Sequence, residues 1–164
     1  MEQRLGASES NILVAKGNLA GTYRSLGRFE ECSRMQRDVY SGRLKLLGEE
    51  HRETLSAAIN YAASLIELQR FEEARSLLRK TVPVARRVLG DDVLITISMR
   101  RNYAMMLYRD DGATIGDLHE ALKTLEDTEQ TARRVLGGAH PTTTGWIERA
   151  LQKYREVLAA REPK

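Results

Sequence analysis

The sequence holds little of what cross-links or interrupts a chain: one cysteine, three prolines and only 5% aromatic residues in 164. The single thiol, Cys32, forbids an intrachain disulfide and cannot build a cysteine zinc site, so a reducing compartment, the cytoplasm, is expected. Long apolar runs are also missing. Nowhere do about 18 apolar residues follow one another, and the polar start Met1-Glu2-Gln3-Arg4 leads into no apolar segment of a signal peptide. The expectation is a soluble, unexported chain with no membrane partner. Charge of one sign is scarce as well: 26 Lys and Arg stand against 23 Asp and Glu, a net +3. That excess is too small to act as a footprint for a polyanion, so no nucleic-acid partner is expected. What is present is a mixture of 30% charged and 41% hydrophobic residues, which suits a charge-laced helical protein and excludes collagen-like and disordered chains. At roughly 150 residues per domain, the length fits one domain spanning 1–164.

The chain repeats itself. Asn18-Leu19-Ala20, Asn60-Tyr61-Ala62 and Asn102-Tyr103-Ala104 recur every 42 residues. Arg28-Phe29-Glu30-Glu31-Cys32 returns after 42 as Arg70-Phe71-Glu72-Glu73-Ala74, and after a further 47 as Asp117-Leu118-His119-Glu120-Ala121, so five residues are inserted between Ala104 and Leu118. Leu47-Gly48 recurs as Leu89-Gly90 and Leu136-Gly137, and 42 residues earlier as Leu5-Gly6, which reads as the tail of a preceding unit. A fixed period of this length is the mark of stacked repeats.

Each unit carries two amphipathic helices. Leu55, Ala58, Ile59, Ala62, Leu65 and Ile66 follow the i, i+3, i+4, i+7 pattern, as do Phe71, Ala74, Leu78, Val82, Ala85 and Leu89. Only about three residues separate the two, so they fold back as an antiparallel hairpin. The spacing predicts helices at about 9–26, 29–47, 52–68, 71–89, 93–109, 115–136 and 141–160, grouped as repeats 9–50, 51–92 and 93–139 with a C-terminal capping helix at 141–160. Glycine after each Leu predicts a left-handed C-cap, with Arg86-Arg87 and Arg133-Arg134 at the negative end of the helix dipole. Pro141 reads as a first-turn proline, and Pro83 predicts a kink near residues 79–83. Thr114 and Asp117 have the spacing of a capping box. The small pairs Ala20/Cys32, Ala62/Ala74 and Ala104/Ala121 are expected where paired helices cross, since axes approach to about 8 Å only over small side chains. Cys32 is thus a buried substitute for alanine. Gln36 interrupts an otherwise apolar ridge, Trp146 reads as core or rim, and Ile147, Leu151, Tyr154 and Leu158 are expected to pack on the last hairpin.

A unit reading Asn-Leu-Ala, then Gly-Arg-Phe-Glu-Glu-(Ala/Cys), then Leu-Gly-x-x-His-Pro resembles a tetratricopeptide repeat. Its 42-residue period is similar to that of kinesin light chain and its relatives. The likeness covers residues 5–158, with Val93-Leu94 departing where His-Pro is the pattern. The resemblance implies an all-α, right-handed superhelical solenoid of antiparallel hairpins, about seven helices in all. Its concave groove, lined by the first helix of each pair, holds a partner segment. In the kinesin light chain family, groove residues of the asparagine column bind cargo peptides. The candidates here are Asn18 and Arg24, Asn60 and Glu67, then Arg101, Asn102, Tyr108 and Arg109, and on the seventh helix Arg149 and Gln152. An asparagine both donates and accepts, so a ladder of three suits an extended peptide backbone.

Chemistry of other kinds finds no support in the sequence. His51 and His140 occupy one loop column two units apart and His119 lies on the far side of a hairpin, so they do not converge on a metal. There is no glycine-rich phosphate loop and no Ser/His/Asp arrangement. Glu30-Glu31, Glu49-Glu50 and Glu72-Glu73 read as solvated faces and dipole partners. No enzyme, cofactor or metal is expected. The expected function is a scaffold that binds a peptide or partner protein in its groove. Two alternatives stand beside it: an assembly module that self-associates through an uncapped N-terminal hairpin at Ile12-Leu13-Val14, and a regulatory repeat domain cut from a larger signalling protein.

Overall fold

The computed structural model describes the backbone of residues 2–138, 140, 145 and 147–161, and the side chains of 8–138, 140, 145 and 147–160. Within these residues it is all-helical: α1 (Glu2–Ser25), α2 (Phe29–Leu47), α3 (Arg52–Glu67), α4 (Phe71–Leu89), α5 (Leu94–Arg109), α6 (Ile115–Leu136) and α7 (Glu148–Arg161). The chain divides into two compact units, Met1–Val84 and Ala85–Lys164, and the division falls inside α4 just past Pro83, not between repeats. A stacked-repeat chain packs each element on its neighbours in sequence, so added length does not feed one central core.

In the first unit α1 packs on α2 and α2 on α3. The turn after α1 closes by a Schellman pair: the Arg28 N–H donates to the Tyr23 carbonyl at 2.8 Å and the Gly27 N–H to that of Arg24 at 3.0 Å, with Gly27 at φ 71°. The turn after α3 repeats both bonds, Arg70 to Leu65 at 2.9 Å and Gln69 to Ile66 at 3.1 Å, but the left-handed residue is now Gln69 at φ 59°. Each turn is braced by its own arginine. Arg28 Nε donates to Glu31 at 2.9 Å, and Arg70 donates to Glu73 at 2.6 and 2.8 Å. The second glutamate of each pair is therefore bound at its turn. Ala20, Ala58, Ala62, Ile66, Ala74 and Leu78 are fully buried and Cys32 nearly so, which puts the small residues in the core as their column suggested. Gly42 lets α2 lie against Leu13, because a Cβ there would sit 2.5 Å from Leu13 Cδ2.

Leu5-Gly6 does not end a preceding helix; it lies within α1, which begins at Glu2. One interior glycine costs a helix only about 1 kcal/mol relative to alanine, too little to stop it. The three Leu-Gly caps also differ in detail from the expected form. Gly48, Gly90 and Gly137 have φ of 84°, 90° and 84°, and each N–H donates to the carbonyl four residues back. At Gly48 and Gly137, however, ψ is 171° and 154°, so the chain leaves in an extended, glycine-only conformation and not in the left-handed helical region.

In the second unit α5 packs on α6 and α6 on α7. The inserted residues are shared between a turn and a helix: the turn 110–114 replaces the three-residue turn 68–70, and α6 starts three residues before Leu118, the counterpart of Phe71. Thr114 caps α6 in a closed capping box. Its Oγ1 accepts from the Asp117 N–H at 3.1 Å, and Asp117 Oδ2 accepts from the Thr114 N–H at 2.9 Å. Ala104, Met106, Leu107, Ala121, Leu125 and Ala132 are fully buried, and Ile147, Leu151, Tyr154 and Leu158 are buried on the α7 side. The α-helical part of α7 among the described residues is Glu148–Arg161; the expected start at 141, with Pro141 and Trp146, lies outside the described residues. α4 runs through Pro83 as a single helix, with Thr81 Oγ1 donating to the Leu77 carbonyl at 2.9 Å.

Candidate ligand-binding cavities

In each unit a cavity brings together three residues of the candidate groove. In the first unit, α1 contributes Gly17 and Gly21, one turn apart, to a cavity of about 200 Å³. A Cβ at either glycine would meet nothing within 4 Å, so the space above the α1 backbone is open. α2 supplies Cys32 and Gln36, and α3 supplies Asn60, Ser64 and Glu67. Arg24 reaches across from α1 to pair with Glu67 Oε1. That leaves Glu67 Oε2 buried without a hydrogen-bond partner, and Gln36 Oε1 is in the same condition on a side chain only 8% exposed. The Cys32 thiol forms part of the wall; burial pushes its pKa up and the Glu67 charge adds to this, so it is an unreactive wall group. Asn60 is exposed at the rim, while Asn18 is exposed on α1 outside the cavity.

In the second unit a cavity of about 300 Å³ opens between α5 and α7. Its floor is aromatic: Tyr108 and Tyr154 lie with ring centroids 4.7 Å apart at 39°, and the buried Tyr154 hydroxyl donates to the Ala104 carbonyl. Its sides are cationic. Arg109 comes from α5 and Arg149 and Lys153, one turn apart, from α7, with no acidic residue in the lining. None of the three has an ion-pair partner among the described residues.

The remaining candidates stand elsewhere. Asn102 is 1% exposed and its Oδ1 accepts from Arg101 at 3.4 Å, so this rung of the ladder is turned into the packing. Gln152 is on the other flank of α7, in a crevice with Glu129, Arg133 and Glu148, and donates to Glu156 at 3.2 Å. The groove grouping thus separates into Arg24, Asn60 and Glu67 in one cavity and Tyr108, Arg109 and Arg149 in the other. Lys153 and Gly17 were missed by sequence reasoning, whereas helical spacing from Asn18 already puts Gly21 on the groove side. Gln36 carried a signal, a polar residue on an apolar ridge. Two of the histidines do structural work: His51 Nδ1 accepts from the Glu53 N–H at 3.2 Å and caps α3, and His119 Nδ1 is 2.9 Å from the Ile115 carbonyl. No cluster of three or more metal-binding side chains occurs among the described residues.

A family profile described as tetratricopeptide repeat matches residues 11–80 and 53–112, more than half of the chain. The chain belongs to the tetratricopeptide repeat family. Among solved structures it is similar to the crystal structure of BtubC (BKLC) from P. vanneervenii, with a TM-score of 0.59 at 17% identity, over 95% of this chain and 68% of that one. That likeness supports the helical-repeat fold. No curated protein matches the sequence. Tetratricopeptide repeats generally mediate protein–protein interaction and are typically non-enzymatic. No helix among the described residues is long and apolar enough to cross a membrane.

Proposed function

We propose that this tetratricopeptide repeat protein is a docking scaffold that receives an acidic segment of a partner protein in the cavity between α5 and α7. The observation that carries the reading is the set of three cations without ion-pair partners, Arg109, Arg149 and Lys153, around an aromatic floor. A carboxylate entering there gains charge-assisted hydrogen bonds, and Arg offers the bidentate geometry that a carboxylate matches. Tyr108, held against the buried Tyr154, supplies apolar area to the intervening residue at low entropic cost. The 42-residue period supports a kinesin light chain-like repeat, and the single thiol agrees with a reducing, cytoplasmic setting.

Fluorescence anisotropy with a labelled peptide bearing two glutamates, beside its diglutamine counterpart, tests the reading. The acidic peptide is expected to bind, and the R149E/K153E double variant to weaken it by at least about tenfold. Equal binding of both peptides, or an unchanged affinity in the double variant, would overturn it.

Self-association is a second reading, favoured by a specific feature of the first unit. Ile12 and Leu46, 53% and 37% exposed, flank a cavity between α1 and α2 above Leu13. Sedimentation decides it: a concentration-dependent dimer lost in Ile12→Ser supports this reading, and a strict monomer removes it.

A further inference from the structure

The first-unit cavity has a chemical demand opposite to that of the second. Glu67 Oε2 and Gln36 Oε1 are buried acceptors with no donor, and a buried acceptor left unpaired is destabilising until a donor reaches it. Arg24 already serves Glu67 Oε1. A third acceptor, the side-chain carbonyl of the exposed Asn60, stands at the rim. An anion is excluded because it would face these oxygens. A bare metal ion is excluded too, because only one carboxylate lines the site and one of its oxygens is taken by Arg24, which leaves too few anionic ligands for a hard cation. A lysine ε-ammonium has three N–H donors on a compact head, one for each acceptor, and a slender apolar stem. Gly17 and Gly21 leave an open track for that stem over the backbone of α1.

We propose that the cavity formed by Gly21, Gln36, Asn60 and Glu67 is a receptor for a lysine side chain of a partner protein segment. That the lysine belongs to a protein segment rests on the docking function proposed above; the ammonium specificity of the cavity does not. The cavity is entered from the solvent-exposed side at Gly21 and Asn60, and the unpartnered oxygens of Glu67 and Gln36 call for a hydrogen-bond donor.

Nuclear magnetic resonance on the full chain, with ¹³C at cysteine and ¹⁵N in the Asn and Gln side chains, gives a direct readout because Cys32 is the only cysteine. Titrated n-butylammonium is expected to shift the Cys32 Cβ and the Gln36 and Asn60 amides saturably, and N-butylacetamide to leave them in place. A blocked pentapeptide with one central lysine among alanines should bind several-fold more tightly than n-butylammonium, and its norleucine counterpart should not bind. Glu67→Gln should weaken the response by about tenfold. Gly21→Leu, which fills the stem track and spares the charge, should abolish it, both variants keeping the wild-type helical circular dichroism. No saturable shift, equal response to the amide, or an unchanged Glu67→Gln response overturns the receptor. Butylammonium binding as tightly as the peptide would assign the site to free amines and overturn the partner-lysine reading. Loss of acidic-peptide binding in the second unit leaves all these readouts in place, so the two readings fail separately.

Discussion

Gln69 is the one described residue other than glycine with a positive φ, 59°, and it closes the turn after α3 with the same pair of bonds that Gly27 uses after α1. A side chain in the left-handed region crowds the following carbonyl, at roughly 1–2 kcal/mol for most residues. Glycine carries no such penalty, though it loses more freedom on folding. Gln69→Gly is therefore expected to stabilise the protein by about 1 kcal/mol, seen as a higher urea midpoint with an unchanged slope. Gln69→Ala should leave the unfolding free energy within about 0.5 kcal/mol of the wild type; if both variants behave alike, Gln69 is not strained. The repeat makes this residue visible from sequence, because Gly27 and Gln69 occupy one column 42 residues apart. The fine geometry of the Leu-Gly caps was not visible, since both the left-handed and the extended exits require only that φ be positive.

At the scale of the element, helix ends carry the sharpest tests. The Thr114 hydroxyl satisfies the Asp117 N–H at the start of α6. Thr114→Ala should cost about 1 kcal/mol, read from thermal or urea unfolding. At the end of α4, Arg86 donates to Asp91 at 2.7 and 3.1 Å, and that bond, opposed by partial burial, holds the Asp91 carboxyl below its ordinary 3.8. Buried Arg100 lies 4.0 Å from Asp91 and 3.9 Å from Asp127 and adds to the pull on Asp91. A carboxyl with a depressed folded-state value contributes stability fully above the unfolded value and loses it as the pH falls through the folded one. The Asp91 contribution is therefore present above about pH 4 and disappears below it. Melting temperatures from pH 7 to 2 should show Asp91→Asn less stable than the wild type at neutral pH, the two converging in acid; a constant gap would refute the pairing. Element positions were legible because the apolar stripes span most of each helix. The start of α1 was not, since Leu5-Gly6 copies the cap sequence and yet runs on as helix.

At the scale of the whole molecule, the two cavities invite opposite charges although the net charge is only +3. Composition hides this, because it does not show that Arg109, Arg149 and Lys153 stand without ion-pair partners among the described residues on one cavity, while Arg24 pairs only one oxygen of Glu67 in the other. The asparagine column led to one cavity through Asn60, whereas its third member, Asn102, is buried by its neighbours. Which column member faces a ligand depends on side chains from other helices, and a period cannot report that. The cavities share no lining residue and fall in different compact units. Mutations without shared partners add, within about 0.3–0.5 kcal/mol. R149E/K153E is therefore expected to leave the n-butylammonium response at Cys32 unchanged, and Glu67→Gln to leave acidic-peptide affinity within about twofold of wild type, a factor that corresponds to this range. A combined variant should lose both by the sum of the separate effects, measured by anisotropy for one site and by Cys32 shifts for the other. A combined loss much larger or smaller than that sum would mean that the two sites communicate, and the scaffold would then have to be described as a coupled receptor and not as two independent ones.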